Sequence, residues 1–146
     1  GPKARRFEQD FAAFLGDANL FEARLDAAGA AAGAAASIRS PLGAWTATAS
    51  VAVADRALVM VRPEYLRPLD LPGAAPAGPG DNVFEARVGR ARMSGATLTA
   101  HLEAAGTPLK ATLLNRYETT PAALEGRTFR WAVAASETIL LAPESA

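Results

Sequence analysis

Cysteine is missing from all 146 residues, so neither a disulfide framework nor a thiolate metal site is open to this chain. That absence fits a reducing compartment such as the cytoplasm. Histidine occurs once, at His101, which leaves no second imidazole or thiol for a zinc centre and no paired groups for acid–base work. Charge of one sign is lacking too. Fifteen basic residues balance fifteen acidic ones, which speaks against a surface that holds nucleic acid through excess Lys and Arg. Half the residues are apolar, but alanine supplies much of that share, and no uninterrupted run approaches the roughly 18 residues of a membrane span. No signal peptide is recognisable. A phosphate-binding loop is excluded as well: nothing matches G-x-x-x-x-G-K-[ST], and prolines interrupt Gly73, Gly78 and Gly80. With this inventory neither catalysis nor a cofactor is expected.

What the chain does have is a phrase stated twice. Asn19-Leu20-Phe21-Glu22-Ala23-Arg24-Leu25 returns as Asn82-Val83-Phe84-Glu85-Ala86-Arg87-Val88, with five positions identical and two exchanging aliphatics. Each copy alternates apolar with polar, as a half-buried strand does. Repetition at a fixed offset implies two related units. Glu22 with Arg24, and Glu85 with Arg87, lie two apart on one strand face and read as architecture, each pairing with neighbours across the sheet.

Around these strands the chain divides as follows. Residues 1–2, Gly1-Pro2, have the form of a scar left when a purification tag is cleaved. In residues 3–16 the spacing of Phe7, Phe11, Phe14 and Leu15 predicts a short helix with one apolar face, stopped by Gly16. Residues 17–68 form the first β-subdomain. Its strands are expected at Leu20–Leu25, Ala36–Ser40, Ala44–Ser50 and Ala57–Val61, with a flexible hairpin loop over Asp26–Gly33. Residues 69–81 read as a linker or exposed loop, since Pro68–Gly80 holds four prolines and three glycines in thirteen residues. Residues 82–146 form the second subdomain, with strands at Val83–Met93, Ala96–Glu103, Leu109–Leu114, Thr128–Val133 and Thr138–Leu141. Thr119-Thr120-Pro121 can cap one short helical turn through Leu124 that Gly126 ends. Pro143-Glu144 echoes Pro63-Glu64. Short strands with Gly and Pro turns predict a mainly β fold, two OB-like small barrels born of an internal duplication. Strand parity points His101 to solvent with Thr97, Thr99 and Glu103, opposite Leu98 and Leu102. Arg87, Arg90 and Arg92 make a basic stripe, but with few aromatics beside it an OB-type nucleic-acid binder is a remote alternative.

A family resemblance rests on motifs in order. Phe11-Ala12-Ala13-Phe14-Leu15-Gly16-Asp17-Ala18-Asn19-Leu20-Phe21 resembles the segment that leaves the nucleotide-binding domain of ABC importer ATPases and enters their C-terminal regulatory domain. Val59-Met60-Val61-Arg62-Pro63-Glu64-Tyr65-Leu66-Arg67 resembles the aliphatic-Arg-Pro-Glu element of that domain. Ser94-Gly95 with Leu98, then Gly106, Leu109, Asn115 and Trp131, is similar to the transport-associated OB (TOBE) pattern, although Ala23 and Ala86 stand where the family has glycine. The resemblance spans Phe11 to Glu144 and is nearest to importers of polyamines, ferric iron, thiamine or phosphonates, with sugar importers close behind. It implies a non-catalytic regulatory domain on an ATP-binding subunit that lies at the inner face of the cell membrane. The fragment has no Walker A, Walker B or ABC signature of its own. The expected partners are a second copy, as a homodimer, and the permease through the ATPase domain. A sensor role is the alternative, in which a small-molecule effector or the transported solute restrains transport. Its polar candidates are Arg62, Glu64, Arg87 and Asn115, although Arg62 and Glu64 also suit bracing a strand end and Asn115 capping a turn.

Overall fold

The computed structural model describes residues 18–114, 117 and 119–143. The helix expected over residues 3–16 and the candidate Asn115 lie outside them. The chain forms two compact units. One takes the chain as far as Arg62 and again from Ala135; the other is the continuous stretch Pro63–Ala134.

The first unit is a closed five-stranded barrel. The strands are β1 (Asn19–Leu25), β2 (Ala35–Ser40), β3 (Gly43–Ala49), β4 (Arg56–Val61) and, from the far end of the chain, β10 (Ile139–Leu141). Their order around the barrel is β1-β2-β3-β10-β4, and β4 pairs with β1 to close it. Only β3 and β10 run parallel, Ile139 opposite Thr48 and Leu140 opposite Ala49. Period-two alternation dictates the interior. Phe21, Ala23 and Leu25 face inward from β1, with Ile38, Trp45, Val59 and Leu140 buried from the other strands. Phe21 meets Trp45 edge to face, ring centres 5.8 Å apart, the geometry that the aromatic quadrupole favours. The loop over Asp26–Gly33, expected to be flexible, is instead tied down. Ala30 and Val53 exchange both backbone bonds at 2.9 and 3.0 Å, and Gly33 donates to Ala49 at 2.7 Å. Gly29 is required there, because a Cβ would stand 2.7 Å from the Val53 carbonyl oxygen.

The second unit is a curled sheet of β5 (Arg67–Pro68), β6 (Asp81–Ser94), β7 (Thr97–Ala104), β8 (Thr107–Leu114) and β9 (Thr128–Ala134), ordered β5-β9-β6-β7-β8. Thr120 accepts from the Ala123 N–H at 3.3 Å and caps the turn Pro121–Leu124, as expected. The two units match strand for strand. Asn19 opposes Val61 as Asn82 opposes Val133, and Phe21 opposes Val59 as Phe84 opposes Trp131. A short 3-10 turn follows each fourth strand, Pro63–Tyr65 in one case and Ala135–Glu137 in the other. The structural counterpart of Pro63-Glu64 is therefore Ala135-Ser136; Pro143-Glu144 only resembles it in letters.

This register changes the expected partition. The strand expected at Thr138–Leu141 does not belong with residues 82–146; it pairs with β3 and β4 and completes the first barrel. Conversely, Arg67–Pro68 pairs with β9 and belongs to the second unit. In both units the antiparallel partner of the fourth strand is a short fifth strand, and in both it is the piece of chain that follows the other unit's fourth strand. The Pro/Gly-rich stretch consequently divides no subdomains. It is the β5–β6 loop inside the second unit, secured at its base by an Arg67–Asp81 ion pair and by Asp70 against Arg130 of β9 at 2.8 Å.

Candidate functional site

The four polar candidates named from the sequence fall on separate elements. Arg62 follows β4 at the end of the first unit, half-buried, whereas Glu64 is exposed in the 3-10 turn that opens the second. Arg87 is exposed midway along β6. Its cross-strand neighbours are Glu103 on β7 and Thr128 on β9. Register thus sets Arg87 opposite a residue of opposite charge. The sister residue Glu85 likewise lies opposite Arg130. Arg90 and Arg92 share the outer face with Arg87 only because a bulge between Val88 and Arg90 shifts the register. His101 is exposed, as parity requires.

The first unit breaks the pairing rule. At the register occupied by Arg87 in the second unit, Arg24 faces Arg39 on β2 and Arg56 on β4. Three guanidinium side chains thus stand in one row across β2-β1-β4, all on the exposed face. Directly opposed residues have their Cβ atoms about 5 Å apart, and like charges so placed destabilise a sheet. Asp26 engages the Nε of Arg39 at 2.9 Å. Among the described residues the side chains of Arg24 and Arg56 have no hydrogen-bond or ion-pair partner. The row borders a cleft of about 330 Å³, whose polar side also carries Glu22 and Ser40. Pro41, Leu58 and Pro143 supply its apolar side. Such a volume sits at the small end of the range for small-molecule sites. Sequence reasoning missed Arg39 and Arg56 because facing positions are visible only in the register. Arg56 also lay one residue outside the expected strand. Their one sequence signal was that Arg39 is a polar residue within a predicted strand and Arg56 a polar residue directly before one.

No group of three or more His, Cys, Asp or Glu side chains converges to hold a metal among the described residues. Nor is any helix among them long and apolar enough to cross a membrane.

A five-stranded barrel closed through a parallel β3/β10 contact, together with a sheet that repeats its antiparallel pairings, defines a protein of two OB-like units. No family model and no curated protein matches the chain. Among solved structures it is similar to the cytoplasmic molybdate-binding protein ModG in a crystal form with molybdate bound. That likeness has a TM-score of 0.65 at 18% identity, over 86% of this chain and 96% of the other. At such identity the likeness carries the fold alone, that of two OB-like units.

Proposed function

We propose that this chain is a TOBE-type regulatory domain that binds a small solute and acts without chemistry of its own, within the ATP-binding subunit of an ABC importer in the cytoplasm. The observation carrying the reading is the paired OB-like fold, shared with a protein whose crystals hold molybdate, together with a small-molecule-sized cleft on the first unit. The importer setting rests on the ordered motifs from Phe11 to Glu144. Through the ATPase domain, the permease would be the partner whose transport the bound solute restrains. Thermal shift against molybdate, polyamines, thiamine, phosphonates and phosphorylated sugars tests the binding claim. A ligand at a hundred times its dissociation constant adds about 2.7 kcal/mol; a panel without any shift sinks it.

Self-association is a second reading, which rests on the resemblance of the ordered motifs from Phe11 to Glu144 to the regulatory domains of importer ATPases. Light scattering across micromolar to millimolar concentration decides it, and a strict monomer throughout removes the homodimer.

A further inference from the structure

The cleft beside the arginine row has a chemistry of its own. The duplication supplies an internal control: the second unit builds the same strands at the same register with Arg87 between Glu103 and Thr128. The fold therefore does not require three arginines abreast. Placing Arg24 between Arg39 and Arg56 costs stability through like-charge repulsion, and that cost is repaid when an anion sits among them. Arg is the side chain suited to this, since its planar fork meets two oxygens of a carboxylate, phosphate or sulfate at once. Arg24 and Arg56 keep their donors for such a ligand. The Asp26 carboxylate holds Arg39 at 2.9 Å, which fixes one end of the row in place.

The rest of the cleft indicates what the anion is attached to. A bare oxyanion would need only the arginines, yet the cleft extends past them to Glu22 and Ser40. Glu22 can only accept when ionised. Ser40 accepts from the Leu42 N–H at 3.1 Å, so its own hydroxyl hydrogen remains to donate. An acceptor and a donor set two residues or one strand away from a cationic row suit hydroxyl groups on a compact body. Pro41, Leu58 and Pro143 give that body an apolar wall.

We propose that the outer cleft of the first barrel binds a small hydroxylated solute through a tetrahedral oxyanion group, such as a phosphate monoester. Arg24 and Arg56 grip the oxyanion while Glu22 accepts from hydroxyls. This rests on the solute-binding reading above and gives it a residue address and a charge. The test is calorimetric titration of the full chain with glucose 6-phosphate, inorganic phosphate and glucose. The phosphate ester should bind best, phosphate more weakly and glucose not at all. Arg24→Gln and Arg56→Gln should each weaken binding about tenfold or more, the worth of a charged hydrogen bond. Because each substitution relieves like-charge repulsion, the thermal midpoint of the unliganded protein should hold or rise. Arg92→Gln makes the same charge change on the second unit and should leave affinity unaltered. Absence of binding by both phosphate and its ester at millimolar concentration overturns the proposal, as does binding that survives both substitutions. If molybdate or another solute binds wild type and both variants alike, the regulatory reading stands and this site falls.

Discussion

Asp70 and Arg130 show how a single contact secures the loop that the sequence made look like a linker. The Asp70 carboxylate accepts from the Arg130 guanidinium at 2.8 and 3.1 Å and from its backbone N–H at 2.8 Å. The side-chain hydrogen bond from Arg130, then the backbone one, hold its pKa below the ordinary value of 3.8. A carboxyl whose folded pKa is depressed contributes stability above its unfolded pKa and loses it as pH falls through the folded value. Asp70→Asn should therefore lower the thermal midpoint by a constant amount at neutral and mildly acidic pH. The difference should shrink only below about pH 4. A gap that closes at higher pH would mean another group is titrating. Trp131 illustrates a different balance. It is fully buried, and its Nε1 has no hydrogen-bond partner among the described residues. A buried unpaired donor costs about 1–3 kcal/mol, so Trp131→Phe gains back part of what its cavity loses. Chemical denaturation should show a loss under about 1.5 kcal/mol for Phe, against about 3–5 kcal/mol for Ala. A Phe variant as damaging as Ala would show that the indole N–H is satisfied.

At the scale of elements, what could be read from the sequence was a strand's inner face; its partner could not. The alternation in Asn19–Leu25 and Asn82–Val88 placed Phe21, Ala23, Phe84 and Ala86 inside, where the structure has them. At the turns Ser94-Gly95 and Ala105-Gly106, Gly95, Ala105 and Gly106 all adopt positive φ, the conformation tight turns demand. By contrast β5 has two residues and β10 three, too few for any period, and their pairing depends on strands more than seventy residues away in one case and nearby only in space. The arginine row was hidden for the same reason, since facing residues are set by register. Leu140 tests the assignment of β10. It is fully buried, and Leu140→Ala should cost about 2–5 kcal/mol. Hydrogen exchange should locate that cost in β3 and β4, which flank β10, and spare β6 and β7. Loss of protection centred on β6 and β7 would restore the partition by sequence halves.

For the whole molecule, chain order makes the first barrel depend on the second unit without any appeal to contacts between them. Arg62 and Ala135 are separated by the entire second unit, 72 residues. When that unit is folded, its own pairing of Arg67 with Ala132 brings the two ends of the excursion together. When it is unfolded, β10 must find β3 and β4 across a long flexible loop. The chain-entropy estimate for closing a loop of this size is about 4 kcal/mol, a sizeable part of the stability of a small domain. Damage to the second unit should therefore appear in the first. The two tryptophans of the chain, Trp45 and Trp131, report on one unit each, and Trp131→Phe leaves Trp45 as sole reporter. In that background Leu102→Ala, which opens a cavity under β7, should shift the Trp45 denaturation midpoint downward, although Leu102 lies wholly within the second unit. A Trp45 transition indifferent to Leu102→Ala would mean that β10 docks without help from the folded excursion, and that the two units are thermodynamically independent.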